Sequence, residues 1–144
     1  MGLRVHSATR ERVEIALPLA PNVNPHGTIF GGAQTAACLV GGWMLMHAAF
    51  TRAGMPAQVV GKEARCEFLA PATGDCLVVT TCEPAELDAL IARFTEHGRA
   101  RQPLLTVVRL GDVEVSRLQG LYTAMGHAAS ASTPDSSQPR KSAA

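Results

Sequence analysis

Between Glu14 and Arg52 the chain carries no Asp, Glu, Lys or Arg. Its leading part, Asn22-Val-Asn-Pro-His-Gly-Thr-Ile-Phe-Gly-Gly32, gathers amides, a histidine and a glycine pair, and mostly apolar or small residues follow up to Arg52. A helix that is apolar on nearly every side has to be surrounded by other structure. This stretch therefore forces a design in which the rest of the chain wraps a central helix. Polar groups at the mouth of such a helix suit a site for a small or acyl-type substrate.

The remainder of the chain has the means to do the wrapping. Arg12 to Pro18 alternates polar and apolar and predicts a first strand, closed by Pro18 and Pro21. Residues 20–28 are dense in turn formers and predict a structured loop. The helix is expected from Gly31 to Ala53, stopped by Gly54 and Pro56. Gly41-Gly42 in its middle costs about 1 kcal/mol per residue relative to Ala, so a close backbone approach is expected there.

Gln58 to Phe68 predicts a strand with Ala64, Cys66 and Phe68 on one face and Glu63, Arg65 and Glu67 on the other. After the turn Pro71-Ala-Thr-Gly-Asp75, the run Cys76 to Cys82 lacks alternation and reads as a strand covered on both faces. Glu86 to Glu96 reads as a short amphipathic helix using Leu87, Leu90, Ile91 and Phe94, with Gly98 as its C-cap. Strands from Pro103 to Leu110 and from Val113 to Ala124 flank the Gly111-Asp112 turn. Short turns between consecutive strands favour an antiparallel sheet, and one long apolar helix against it makes an α+β layer arrangement. One domain over residues 1–126 is expected, with a disordered tail of Ala, Ser, Thr and Pro over 127–144.

Composition narrows the function. A formal net charge of +1 with one Trp, one Tyr and four Phe offers neither a basic patch nor stacking platforms, so no nucleic-acid partner is expected. Ile29 to Phe50 approaches the roughly 20 residues of a spanning helix, yet it contains Gln34, Thr35, His47 and glycine pairs and lacks basic flanks, so no membrane partner is expected either. The four cysteines form no Cys-x-x-Cys pair, and the N-terminus shows no apolar core of signal-peptide length. Free thiols in a reducing cytoplasm are the expectation. No set of His, Cys, Asp or Glu shows ligand spacing, so no metal is expected, and no cofactor is implied.

Asn24-Pro-His-Gly-Thr-Ile-Phe-Gly-Gly32, the long helix with its Gly42-Trp43, and Phe68-Leu-Ala-Pro-Ala-Thr-Gly-Asp75 resemble the hotdog-fold acyl-thioester hydrolases. The resemblance is closest to the thioesterase-like family typified by the C-terminal domain of YiiD, and covers roughly residues 12–125. It implies a hotdog fold, an antiparallel β-sheet wrapped around a long central α-helix. It implies hydrolysis of acyl-CoA or acyl-carrier-protein thioesters, and at least a homodimer with the acyl chain in an apolar channel between subunits. In the family pattern a Gly amide at the helix start holds the oxyanion and an Asn seven residues earlier positions substrate or water, which here are Gly31 and Asn24.

Elementary chemistry gives these positions a rationale of their own. A helix N-terminus presents unpaired N–H groups and a partial positive charge, and glycine lets a carbonyl approach them. Stabilisation of the developing oxyanion usually contributes more than any other single effect to catalysis of acyl transfer. Many hotdog hydrolases also place an acid eight residues beyond that Gly, where this chain has Leu39 between Cys38 and Val40. Others place Asp just before Pro-x-Gly, where this chain has Asn24. His26 is the expected replacement, since histidine titrates nearest neutrality and suits a general base. Glu63 or Glu67 from a second subunit is the alternative.

Gly27, Phe30, Gly32, Gln34 and Thr35 are the expected substrate-binding residues around this centre, with Gln34 and Thr35 placed to orient water. Against these stand plainer roles: Asn22 and Asn24 as turn residues, the glycine pair as a packing device, His26 as an exposed loop histidine, His47 as a core histidine. Two other functions fit the pattern. One is a non-catalytic acyl-thioester binding module; the other is a hydroxyacyl-thioester dehydratase, which normally pairs His with a Glu that the central helix lacks.

Overall fold

The computed structural model of the chain describes residues 1–127. The expected disordered tail lies, from residue 128 onward, outside the described residues. The elements are β1 (Arg4–Ala8), β2 (Arg12–Leu17), a 3-10 turn (Ala20–Asn22), α1 (Gly31–Arg52), β3 (Ala57–Phe68), β4 (Cys76–Thr81), α2 (Pro84–His97), β5 (Arg99–Leu110) and β6 (Val113–Gly126).

The six strands form one antiparallel sheet in the order β1-β2-β4-β5-β6-β3. The chain leaves β2 near one edge and re-enters at β3 on the other, and α1 makes that crossing beneath the sheet. The core is the interface between them. Val13, Ile15 and Leu17 from β2, Val78 from β4, Leu104 and Val108 from β5, and Leu118 and Tyr122 from β6 bury against Ala37, Cys38, Leu45, Met46 and Phe50.

The glycine pair in α1 has the expected explanation. A Cβ on Gly41 would stand 2.6 Å from Thr80 Oγ1, and one on Gly42 would overlap the ring and hydroxyl of Tyr122. The sheet therefore approaches the helix backbone at both residues. α2 buries Leu87, Leu90 and Phe94 and is capped by Gly98 in the left-handed region at φ 65°, whose N–H donates to Phe94 O at 2.7 Å. The Phe94 ring packs tilted on Phe50 at 4.7 Å, which ties α2 to the end of α1.

Three features differ from the sequence reading. β1 is an additional strand, held to β2 by backbone pairing and by the Ser7 hydroxyl, which donates to the Glu14 carboxylate at 3.0 Å; its side chains are nearly all exposed, so it carries no apolar alternation to read. β5 begins at Arg99, not Pro103, and Pro103 is tolerated because the β4 ladder ends at the Thr81–Leu105 pair, leaving no partner for the missing N–H. Finally, α1 is not covered all round: Val40 is 38% and Trp43 41% exposed, beside the edge strand β3 whose residues Gly61–Arg65 are also exposed.

Candidate active site

The loop before α1 is a miniature hairpin. Val23 and Ile29 form a bridge, Asn24 N–H donates to Thr28 O at 2.8 Å, and Gly27 N–H donates to Asn24 O at 3.0 Å. Gly27 takes φ +77°, which closes the turn and which a residue with a Cβ adopts only under strain. The Asn24 side chain sits inside this hairpin. Its Oδ1 accepts from His26 N–H (2.9 Å) and Thr28 N–H (3.1 Å), and its Nδ2 donates to Thr28 Oγ1 at 2.9 Å. Asn24 thus sets the loop conformation, and one Nδ2 proton remains outside these bonds. Asn22 is only 7% exposed, its Nδ2 donating to Met1 O (2.9 Å) and Pro18 O (2.7 Å).

The loop delivers the helix start. Phe30 N–H donates to Asn22 O at 2.8 Å, and Phe30 O accepts from Ala33 N–H (2.9 Å) and Gln34 N–H (3.1 Å). Because the peptide is planar and trans, a Phe30 carbonyl aimed along the helix turns the Gly31 N–H the opposite way, out of the helix end. Among the described residues neither Gly31 N–H nor Gly32 N–H has an acceptor. Both are first-turn donors at the positive end of a 22-residue helix.

Two hollows flank the loop. One, of about 500 Å³, is lined by Asn24, His26, Gly31, Gln34, Phe68 and Leu69 among others. The other, on the far side, is lined by Asn22, Asn24, Phe30, Gly32 and Ala33. The structure therefore brings Asn24, His26 and Gly31 to one cavity and sends Phe30 and Gly32 to its neighbour. The exposed Phe30 ring folds over Gly32 and would have to swing aside for a side chain there.

Gln34, expected to bind substrate or orient water, lines the first hollow, but its head group is engaged in the core. It is 4% exposed, its Nε2 donates to Ile29 O at 3.0 Å and its Oε1 accepts from Ser116 Oγ at 2.6 Å. The head group is turned into the core because β6 presents a hydroxyl there. Thr35 is half-buried and its hydroxyl donates back to Gly31 O at 2.9 Å. The His26 side chain stands exposed at the rim of the first hollow.

Phe68, for which the sequence suggests no role in the site, lies over Gly31: a Cβ there would stand 2.9 Å from its Cζ. Ser116 carries one faint signal, a serine on the helix-facing side of β6 that interrupts an otherwise apolar row. Among the described residues no Asp or Glu lines the first hollow. The β3–β6 register puts Glu63 and Glu67 opposite Leu121 and Arg117, and the Glu67 carboxylate pairs with Arg65 at 3.1 Å. Among the described residues no three His, Cys, Asp or Glu side chains gather as a metal site, and no helix is long and apolar enough to cross a membrane.

Burial pushes the thiols of Cys38 and Cys82 up to about 12, with Glu86 adding to the effect at Cys82, and raises Cys76. Cys66, facing the helix from β3, is the least buried of the four.

Comparison with known proteins agrees with this architecture. A "probable thioesterase" of unknown function from Pseudomonas aeruginosa is 25% identical, with 88% of this chain and 84% of that one covered at a TM-score of 0.78. A protein of unknown function from Chlorobaculum tepidum is 21% identical over 88% and 84%, with a TM-score of 0.82. A thioesterase from Haemophilus influenzae, 12% identical over 87% and 79%, gives 0.67 and shares the fold alone. No curated protein matches. The six-stranded antiparallel sheet around α1 is the hotdog fold of these thioesterase structures. A family model described as "Putative thioesterase (yiiD_Cterm)" matches residues 1–126, and the chain belongs to that family.

Proposed function

We propose that the protein hydrolyses acyl-CoA or acyl-carrier-protein thioesters at the first hollow. The observation that carries this reading is the unpaired Gly31 N–H at the start of α1, facing a cavity rimmed by Asn24 and His26. A thioester carbonyl oxygen would accept from Gly31 N–H, whose dipole is pre-oriented for the developing oxyanion. Asn24 would hold the reacting groups with its remaining Nδ2 proton while fixing the turn that carries His26. His26 would take a proton from water as its oxygen bonds to the carbonyl carbon. Collapse of the tetrahedral intermediate would break the C–S bond and return that proton to the leaving thiolate.

A strip of small and apolar residues supports the acyl half of the reading. Leu39, Val40 and Trp43 on α1 and Gly61 and Ala64 on β3, with Tyr122, line a third hollow that Lys62 and Glu63 border. Val40, Trp43 and the free edge of β3 make an uncovered face that a second copy of the chain would close, giving a homodimer. Four free thiols suit a reducing compartment such as the cytoplasm.

The lack of a carboxylate in the hollow among the described residues favours one other reading, a module that binds acyl thioesters without turnover. A dehydratase is disfavoured, since no acid faces His26 from α1. The deciding experiment is chromatographic detection of CoA released from short- to long-chain acyl-CoAs, with Asn24→Ala and His26→Ala alongside. Turnover that falls about tenfold or more in both variants is expected. Saturable binding without turnover by the wild type would replace hydrolysis with the binding reading.

A further inference from the structure

We propose that the buried Gln34–Ser116 pair positions the Gly31 amide, so that Ser116 on β6 governs the rate of the reaction proposed above without touching substrate. The inference rests on that reaction and adds a residue to it. Gln34 is 4% exposed and Ser116 is fully buried. Burying an amide and a hydroxyl against an apolar core is unfavourable unless each is paired, and here they are paired with one another.

What the pair grips is specific. Ile29 C=O and Phe30 N–H belong to one peptide plane. Gln34 Nε2 holds its oxygen edge at 3.0 Å and Asn22 O holds its N–H edge at 2.8 Å. The preceding peptide is anchored too, by Ile29 N–H donating to Ala72 O at 2.9 Å. The next peptide carries Phe30 C=O, held by Ala33 N–H and Gln34 N–H, and on its opposite edge the free Gly31 N–H. Only the two torsions of Phe30 separate the clamped plane from the one offering that N–H. Ser116, donating to Gln34 Oε1 at 2.6 Å, sets the rotamer of the side chain that makes the clamp. A sheet strand thereby aims the donor at the cavity.

The test compares Ser116→Ala with Thr106→Ala, which removes the buried Thr80–Thr106 hydroxyl pair (2.8 Å) beneath Gly41 and so serves as a structural control. In the first variant kcat should fall about tenfold while KM changes less than about threefold, because the donor acts mainly on the oxyanion. The Gly31 amide peak in a 1H–15N NMR spectrum should also shift. Ser116→Thr, which keeps the hydroxyl, should recover most of the rate. Thr106→Ala should lower Tm yet leave kcat and that peak near wild type. Gln34→Met, similar in size but unable to make either bond, gives the same readings if Ser116→Ala does not fold.

Wild-type kcat and an unmoved Gly31 peak in Ser116→Ala would overturn the inference, as would an equal loss of kcat in Thr106→Ala. Should the wild type cleave no thioester, the proposed reaction fails on its own. The Gly31 peak in Ser116→Ala then still decides the positioning role.

Discussion

The hydroxyl of Tyr122 occupies the space that a side chain on Gly42 would need, and donates to Leu39 O at 3.4 Å one turn earlier in the same helix. The long helix and the β6 strand interlock at this point, with a missing Cβ on one matched to a phenol on the other. Gly42→Ala would gain about 1 kcal/mol of helix propensity but overpack this contact, for which about 1–3 kcal/mol is typical. A net fall in the denaturation midpoint is expected. Tyr122→Leu should destabilise as well, and the double variant should lose less than the sum of the two. Additive losses would show that the two residues do not compete for space.

Gly31→Ala tests the candidate site from its other wall. The new methyl would meet the end of the Phe68 ring, a side chain 58% exposed and free to swing away. Stability should therefore change little, within about 1 kcal/mol. Turnover of acyl-CoA should fall about tenfold or more, since methyl and displaced ring crowd the amide. Full activity in this variant would contradict a close approach of the thioester carbonyl past the Gly31 Cα, since alanine keeps the N–H and adds only the methyl.

The thiols should report burial chemically. Thiolate is the reactive form, and Cys38 and Cys82 are pushed up to about 12 from an ordinary 9.0. Iodoacetamide at pH 8, read by peptide mass spectrometry, should label Cys66 first and reach Cys38, Cys76 and Cys82 only after denaturation. Rapid labelling of Cys38 in the native protein would contradict the packing of α1 on the sheet.

Alkaline stability follows from the same groups. Cys38 and Cys82 are raised from 9.0, and Tyr122 from 10.0, to about 12 in the folded state, mainly by desolvation. Below the unfolded values these groups are neutral in both states and their contribution is fully present. Above them the unfolded chain ionises while the fold keeps the groups protonated, so stability declines from about pH 9 toward 12. Urea midpoints measured from pH 8 to 11 should fall, and less steeply in Cys38→Ala.

Trp43→Glu addresses assembly. The indole Nε1 donates to Val59 O at 3.1 Å, and its ring stacks on His47 at 4.8 Å on the uncovered side of α1. Light scattering should show a dimer for the wild type and a monomer for the variant, with circular dichroism confirming that it remains folded. A monomeric wild type would exclude the dimeric reading.

Much of the fold is legible locally. The helix from Gly31, the strands led by β2, the Gly98 cap and the close approach at Gly41-Gly42 follow from periodicity, turn chemistry and the exclusion of unpaired charge from water-free space. β1 is invisible because backbone pairing leaves no side-chain pattern. In the site, Asn24 and Gly31 are marked by the family resemblance and His26 by its nearness to them, and all three line one cavity. The core-facing role of Gln34 is hidden from its neighbours in the chain, because its partner lies 82 residues away.

The central buried helix with polar groups at its mouth is dictated by residue order alone, since an uncharged run of that length has no stable place on a surface. Long-range packing settles the rest: β3 crosses to the edge beside β6, Phe68 shields Gly31, Ser116 captures Gln34 and one side of α1 stays bare. Those outcomes depend on strand order and register between distant segments, and local propensity carries no information about which distant residue will arrive.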